Sequence, residues 1–135
     1  MTGANQENRR TPRGLNEPTR RLFRAAAFVF AAAMMWFAFT PPTGVDSGLP
    51  WDKANHFVGF LTLTVLTGCG WSGPPALRTA AIMLAFGTGI ELVQGLPAVG
   101  RDADIWDVVA DMAGFALGWL ALTVWRRHGP GGFRE

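Results

Sequence analysis

The sequence predicts an all-α protein, a four-helix transmembrane bundle with short loops. Four apolar runs occupy residues 22–40, 54–71, 77–96 and 108–125 of the 135 residues. Each run approaches the roughly 20 residues that a helix needs to cross a hydrocarbon core. Four such runs leave almost no amphipathic segment that could cover a soluble core. Prolines and glycines at the ends of the runs, and an uneven distribution of cationic residues, support the same fold.

The first apolar run follows a polar, arginine-rich segment, as in a cleaved signal peptide. It is longer than a usual signal core, however, and it ends at Phe39-Thr40-Pro41-Pro42 without a small-x-small cleavage site. We therefore expect a retained helix, preceded by a flexible basic arm at residues 1–21.

The remaining runs are separated by turn-forming residues. Gly73-Pro74-Pro75 predicts a tight turn between the second and third helices, and Gly95-Leu96-Pro97 ends the third. The fourth run leads into a basic tail at residues 126–135, so the membrane domain is placed at residues 22–125. Cys69 is the single cysteine, which excludes an intramolecular disulfide and favours a packing role.

Cationic residues indicate an orientation. Six arginines precede or begin the first run, Arg78 follows the second, and three arginines lie in the tail. The other two connections contribute Lys53 and Arg101. The positive-inside rule therefore predicts that both termini are cytoplasmic. This asymmetry also explains the basic pI, so we expect no nucleic-acid binding, and the apolar runs exclude a soluble cytosolic enzyme.

With this topology, ionisable residues concentrate on the outer side of the membrane. Groups of this kind cost about 2.5–3.5 kcal/mol each at the centre of a span on insertion scales, so partners or function usually shelter them. The candidate site comprises Asp52, Lys53, His56, Glu91, Gln94, Arg101, Asp104, Asp107 and Asp111.

Helical spacing brings several of these residues onto shared faces. Asp52 and His56 are four residues apart, and Glu91 and Gln94 are three apart. In the fourth run, Asp107 and Asp111 continue into Gly114-x-x-x-Gly118, a pattern that permits close approach of membrane helices. We expect the glycines to pack against neighbours, within one chain or between two, while the polar groups converge above that contact.

Two alternatives account for these residues without a binding site. Asp52, Lys53 and Asp107 could be solvated cap residues, since carboxylates near helix N-termini are favourable by about 0.3–1 kcal/mol. That explanation does not suit Glu91, which is near a helix C-terminus, or Asp111, which lies about 6 Å deeper than Asp107 at 1.5 Å per residue. These two need donors among Lys53, His56, Gln94 and Arg101, and a purely structural polar contact between helices is the second alternative.

The ordered set of motifs resembles the VanZ-like family of small bacterial membrane proteins. The motifs are Asp52-Lys53-x-x-His56-Phe57, Glu91-x-x-Gln94, and Arg101 followed by Asp104-x-x-Asp107-Val108 and Gly114. The resemblance covers approximately residues 50–120. At the position of Asp111 that family commonly has asparagine, so this chain carries an additional carboxyl group.

The resemblance implies an integral membrane protein of the bacterial cytoplasmic membrane and a role in glycopeptide tolerance, because the family's namesake is associated with low-level teicoplanin resistance. It supplies no reaction. We expect an outer site that binds a lipid head group, a lipid-linked cell-wall intermediate or an amphiphilic antibiotic, without cofactor or metal. Association of copies through the glycine-rich helix faces is a further expectation.

Two other functions use the same residues. An interfacial enzyme would employ His56, Glu91 and Asp111 for acid–base chemistry on a lipid-linked substrate, or would use His and carboxylate groups to ligate a divalent metal. A proton or solute transporter is disfavoured, because the inner halves of the runs offer no continuing relay of polar groups.

Overall fold

A computed structural model describes residues 15–40, 51–71 and 75–128 of the chain. The described chain is all-helical and consists of four helices. They are α1 (Glu17–Phe39), α2 (Trp51–Gly70), α3 (Ala76–Gln94) and α4 (Ile105–His128). Pro41 and Pro42, at the predicted end of the first run, and most of the predicted Gly73-Pro74-Pro75 turn lie outside the described residues.

Helix α1 begins before the predicted end of the basic arm. Asn16 caps the helix by accepting a hydrogen bond of 3.0 Å from the Thr19 N–H, and Glu17 and Pro18 occupy its first turn. The prediction of a flexible arm at residues 1–21 was therefore wrong for residues 17–21, and residues 1–14 lie outside the described chain. Helix α4 likewise continues to His128, into the predicted tail.

Three of the four helices in the described chain, α1, α3 and α4, are long and apolar enough to cross a membrane. Helix α2 has 20 residues but is not among these three, and its polar residues are concentrated at its start. Asp52, Lys53 and His56 lie in its opening turns, and three threonines follow. Three such helices indicate a membrane-embedded protein.

The distribution of side chains supports this conclusion. Large apolar side chains face outwards on every helix; Phe37 is 71% exposed and Leu77 is 82% exposed. Exposed apolar area of this extent is unusual for a water-soluble monomer and suits contact with lipid. The interior contains an apolar core that includes Phe60 and Met83. It also contains seven buried polar side chains, those of His56, Thr64, Thr79, Glu91, Gln94, Asp107 and Asp111.

Helix α2 packs chiefly against α4 and α1, and α4 also packs against α3. The contact between α2 and α4 depends on two glycines of α4. A Cβ atom at Gly114 would overlap the Phe57 carbonyl oxygen, and one at Gly118 would lie 3.0 Å from the Leu61 carbonyl oxygen. The small-x-x-x-small pattern thus packs within the chain, and it fixes which face of α4 is turned towards α2.

The charged residues separate towards opposite ends of the bundle. At the end that we call the basic end, Arg24 donates to the Gly70 carbonyl (2.8 Å) and Arg126 to the Gly68 carbonyl (2.7 Å). Cations are favourable there because the last carbonyls of α2 lack helical partners. At the opposite end, which we call the polar end, the first turns of α2 and α4 meet the last turns of α1 and α3.

Candidate functional site

His56 lies at the centre of the polar end, with one ring nitrogen fixed by a buried carboxylate. Its Nδ1 lies 2.9 Å from Oδ1 of the fully buried Asp111, and because an ionised carboxylate can only accept, we assign the proton of this hydrogen bond to Nδ1. The contact joins the second turn of α2 to the second turn of α4. Since Nδ1 carries the proton in this hydrogen bond, the other nitrogen, Nε2, is available to the rest of the site.

Glu91 approaches His56 from α3 and makes two distinct contacts. Its Oε2 accepts the backbone N–H of Asp104 at 2.8 Å, which ties the last turn of α3 to the residue that precedes α4. Its Oε1 lies 3.7 Å from His56 Nε2, beyond hydrogen-bond distance, and is buried without a hydrogen-bond partner among the described residues. The carboxylate is therefore only half satisfied.

Lys53 joins two aspartates at the start of α4. Its ammonium donates to Asp104 and, over 3.0 Å, to Asp107 Oδ1. Asp104 also caps α4 by accepting the Trp106 N–H at 2.9 Å. The hydrogen bond from Lys53 and, secondly, that from Trp106 hold the pKa of Asp104 below its usual value. Asp107 is buried, with its Oδ2 4.0 Å from His56 Nε2, so it is not a solvated cap residue.

A pocket of about 540 Å³ opens beside His56 between α1, α2 and α3. Gln94 lines it and donates to the Ala38 carbonyl at the end of α1, over 3.4 Å. Arg101 lines it too, and its Nε is buried without a hydrogen-bond partner among the described residues. Gly100, at φ 68°, makes the left-handed turn of the chain immediately before Arg101.

The pocket has two chemically different parts. Its polar part comprises Asp52, Asn55, His56, Gln94 and Arg101. Its apolar part is formed mainly by one face of α1, with contributions from α2 and α3, and comprises Phe30, Ala33, Met34, Phe37, Ala38, Val58, Gly59 and Ile90. The arrangement suits a molecule that is apolar along most of its length and polar at one end.

The structure brings most of the sequence-predicted residues together. His56, Glu91, Asp107 and Asp111 form one connected group; Lys53 attaches to it through Asp107, and Asp104 attaches through Lys53. Asp52 is exposed at the pocket mouth, where one oxygen each from Asp52 and Asp107 and a nitrogen of His56 lie within 4.8 Å of one another. Arg101 was expected to donate a hydrogen bond to the buried carboxylates, but it lines the pocket instead. Glu91 accepts its hydrogen bond from the backbone N–H of Asp104.

Sequence reasoning missed one contributor to the site and anticipated another only in part. The first is the face of α1 at Phe30, Ala33, Met34 and Phe37, whose spacing of three, four and seven residues is the signal that could have identified it. The second is Gly87, where a Cβ atom would overlap Asp111 Oδ2. Gly87 shares a helical face with Glu91 and Gln94, which predicts that it packs against a neighbouring helix, but this spacing does not predict that the neighbour is the Asp111 carboxylate.

Comparison of the chain with family models, with curated proteins and with solved structures finds no match.

Proposed function

We propose that the protein is a membrane-embedded, VanZ-like binding protein whose polar end receives an amphiphile. The observation that carries this proposal is the two-part pocket beside His56. Its volume lies within the range of about 300–1,000 Å³ that is common for ligand sites, and its apolar wall continues directly into the outward-facing surface of α1. An acyl or isoprenoid chain could enter from the surrounding lipid without leaving an apolar environment.

The polar part of the pocket favours a head group that carries phosphate. The Arg101 guanidinium is always charged and can bind phosphate through two parallel N–H donors, and its Nε has no hydrogen-bond partner among the described residues. Gln94 and Asn55 add amide groups that suit sugar or glycerol hydroxyls. Membrane lipids and lipid-linked cell-wall intermediates share this chemistry, and an amphiphilic antibiotic would use the same apolar wall.

The orientation follows from the separation of charge. The basic end contains Arg24, Arg78 and Arg126, and the positive-inside rule assigns it to the cytoplasm. We therefore place all four helices across the bacterial cytoplasmic membrane with both termini inside and the polar end at the outer leaflet. An impermeant maleimide would label Ala98→Cys in intact cells of a Cys69→Ser background, whereas Ala76→Cys would react only after permeabilisation. The reverse pattern would invert this topology.

The binding experiment uses full-length protein in phosphatidylcholine nanodiscs with photoreactive phosphatidylglycerol or undecaprenyl phosphate. We expect cross-links concentrated on residues 30–38 of α1. Ala33→Phe fills the pocket and should reduce this labelling about tenfold, equivalent to 1.4 kcal/mol. Ala32→Phe is the matched control, since Ala32 is exposed and does not line the pocket.

A second variant tests the role of the head group. Arg101→Ala should weaken labelling by the phosphate-bearing probes but leave labelling by a neutral diacylglycerol analogue unchanged. Labelling spread evenly over all lipid-facing surfaces, and insensitive to Ala33→Phe, would reject the pocket as the binding site and indicate ordinary annular lipid contact.

One observation favours an enzymatic alternative. A histidine whose Nδ1–H is held by a buried carboxylate resembles an oriented general base, and His56 has this arrangement with Asp111. The substrate would be the same lipid-linked class. Turnover of an undecaprenyl-linked sugar diphosphate by the wild type, abolished in His56→Gln, would establish this alternative, while binding without turnover would reject it.

A further inference from the structure

The polar end contains more acidic than basic side chains, even when Arg101 of the pocket is counted. Four carboxylates, those of Glu91, Asp104, Asp107 and Asp111, surround Lys53 and His56. Asp52 adds a fifth at the pocket mouth. Because isolated charges are costly away from water, such an arrangement calls for additional positive charge.

The direction of the His56 ring restricts where that positive charge can lie. Its Nδ1–H is engaged with Asp111, which leaves the Nε2 lone pair of a neutral imidazole directed towards carboxylate oxygens. Nε2 is 3.7 Å from Glu91 Oε1 and 4.0 Å from Asp107 Oδ2. An acceptor facing two acceptors is unfavourable unless a proton or a cation lies between them.

Glu91 provides a second, independent observation. Its side chain is 7% exposed, and its Oε1 has no hydrogen-bond partner among the described residues although its Oε2 is bonded. The unpartnered oxygen is the one that approaches His56 Nε2. A buried carboxylate oxygen that lacks a hydrogen-bond partner is unfavourable unless something binds it.

We propose that His56, Glu91, Asp107 and Asp52 form a site for a divalent transition-metal ion, with Zn²⁺ or Mn²⁺ as the class that fits. One imidazole and several carboxylates are ligands that suit these ions. Asp52, His56 and Asp107 each offer an atom within 4.8 Å of the others. Tetrahedral ligands about 2.1 Å from a zinc ion lie about 3.4 Å apart, so side-chain rotations that bring these atoms roughly 1 Å closer together would close the site.

The surroundings of His56 match those of a metal-binding histidine. Such histidines almost always donate their second ring N–H to a carboxylate or carbonyl, which fixes the ring and raises its basicity. Asp111 occupies that position and is a positioning residue, not a ligand. Lys53 holds the other oxygen of Asp107 and leaves Oδ2 directed towards His56. This proposal does not depend on amphiphile binding, and either can fail alone.

The test uses metal-free full-length protein in nanodiscs, titrated with Zn²⁺ and, as a spectroscopic probe, Co²⁺. We expect one ion per chain and visible Co²⁺ absorption. His56→Gln and Asp107→Asn should weaken binding at least tenfold, and Asp111→Asn about tenfold to a hundredfold. Asp102→Asn, in the exposed loop, and His128→Gln are controls that should bind like the wild type.

A second readout identifies the atom that binds. The chain has two histidines, so His128→Gln leaves His56 as the single imidazole. In protein labelled with ¹⁵N-histidine, Zn²⁺ should shift the Nε2 resonance while Nδ1 remains protonated. The proposal is overturned if the wild type takes up no more Zn²⁺ or Co²⁺ than empty nanodiscs. It is equally overturned if metal leaves the His56 resonances unchanged, or if Nε2 is protonated at neutral pH in the presence of Zn²⁺.

Discussion

His56 is oriented from both sides, and the groups on each side differ in kind. Asp111 binds the ring at Nδ1 over 2.9 Å, whereas Glu91 and Asp107 approach Nε2 without reaching hydrogen-bond distance. A contact that served only to hold helices together would be expected to close fully, because buried polar groups are usually satisfied. Here Glu91 Oε1, on the Nε2 side, and Asp111 Oδ2 are both buried without a hydrogen-bond partner among the described residues, which is the arrangement expected of a binding site.

The charge of Asp104 is expected to stabilise the protein in a pH-dependent way. Its folded-state pKa is lowered, so its ion pair with Lys53 stabilises the fold at neutral pH. That contribution is lost as the pH falls below the ordinary aspartate value of about 3.9 and through the lowered value in the folded state. Asp104→Asn should therefore lower the melting temperature at pH 7, and the difference from the wild type should shrink towards pH 3.

The difference between the melting temperatures of the wild type and Asp104→Asn at each pH isolates the contribution of this residue, because the other carboxylates titrate in both proteins. Asparagine can still cap α4, so the comparison removes the charge and keeps the cap. Asp102→Asn, at an exposed position two residues earlier, should show little difference at either pH. A deficit in Asp104→Asn that is as large at pH 3 as at pH 7 would contradict the role given to the ion pair.

At the scale of the helices, the close contact between α2 and α4 positions the site. Gly114 lies against the backbone of Phe57, the residue that follows His56 in α2. Asp111 lies three residues before Gly114 in α4, about one helical turn away. Because the neighbouring atoms are backbone atoms, they cannot rotate away to accommodate a side chain. The glycines therefore determine the distance at which Asp111 meets His56.

Gly114→Ala should destabilise the protein by about 1–3 kcal/mol, as is typical of overpacking. Gly89→Ala is the matched control, because a Cβ atom at Gly89 would have no neighbour within 4 Å. There alanine should be neutral, or stabilising by up to about 1 kcal/mol through helix propensity. Unfolding of both variants in mixed micelles by SDS titration checks this. Equal stability of the two variants would show that the contact between α2 and α4 is looser than described.

The helices themselves could be predicted from the sequence, because the length and spacing of apolar runs are local properties. The boundaries differed at the ends of α1 and α4, where polar residues such as Glu17 and Arg126 belong to the helix although they interrupt the apolar pattern. The pairing inside the site could not be predicted. It depends on the rotation of each helix, so the partner of Glu91 proved to be the Asp104 backbone and not Arg101.

At the scale of the whole molecule, cationic and acidic side chains lie at opposite ends of the helix bundle, and large apolar side chains lie on its outer surface. Arginines bind the C-terminal carbonyls of α2 at the basic end, and the carboxylates gather at the polar end. Large apolar side chains cover the outside. This organisation suits a bilayer, and it leaves the buried carboxylates as the feature that stability alone does not explain.

The central claim is that these carboxylates form a site and not a structural contact between helices. The most direct test is the free energy of unfolding of Glu91→Gln in mixed micelles. Glutamine can still accept the Asp104 N–H through its carbonyl oxygen, and it removes a half-satisfied buried charge. We predict stability equal to or greater than that of the wild type. A loss of about 3 kcal/mol or more, the size expected when a buried ion pair is broken, would show instead that the Glu91 charge holds the helices together.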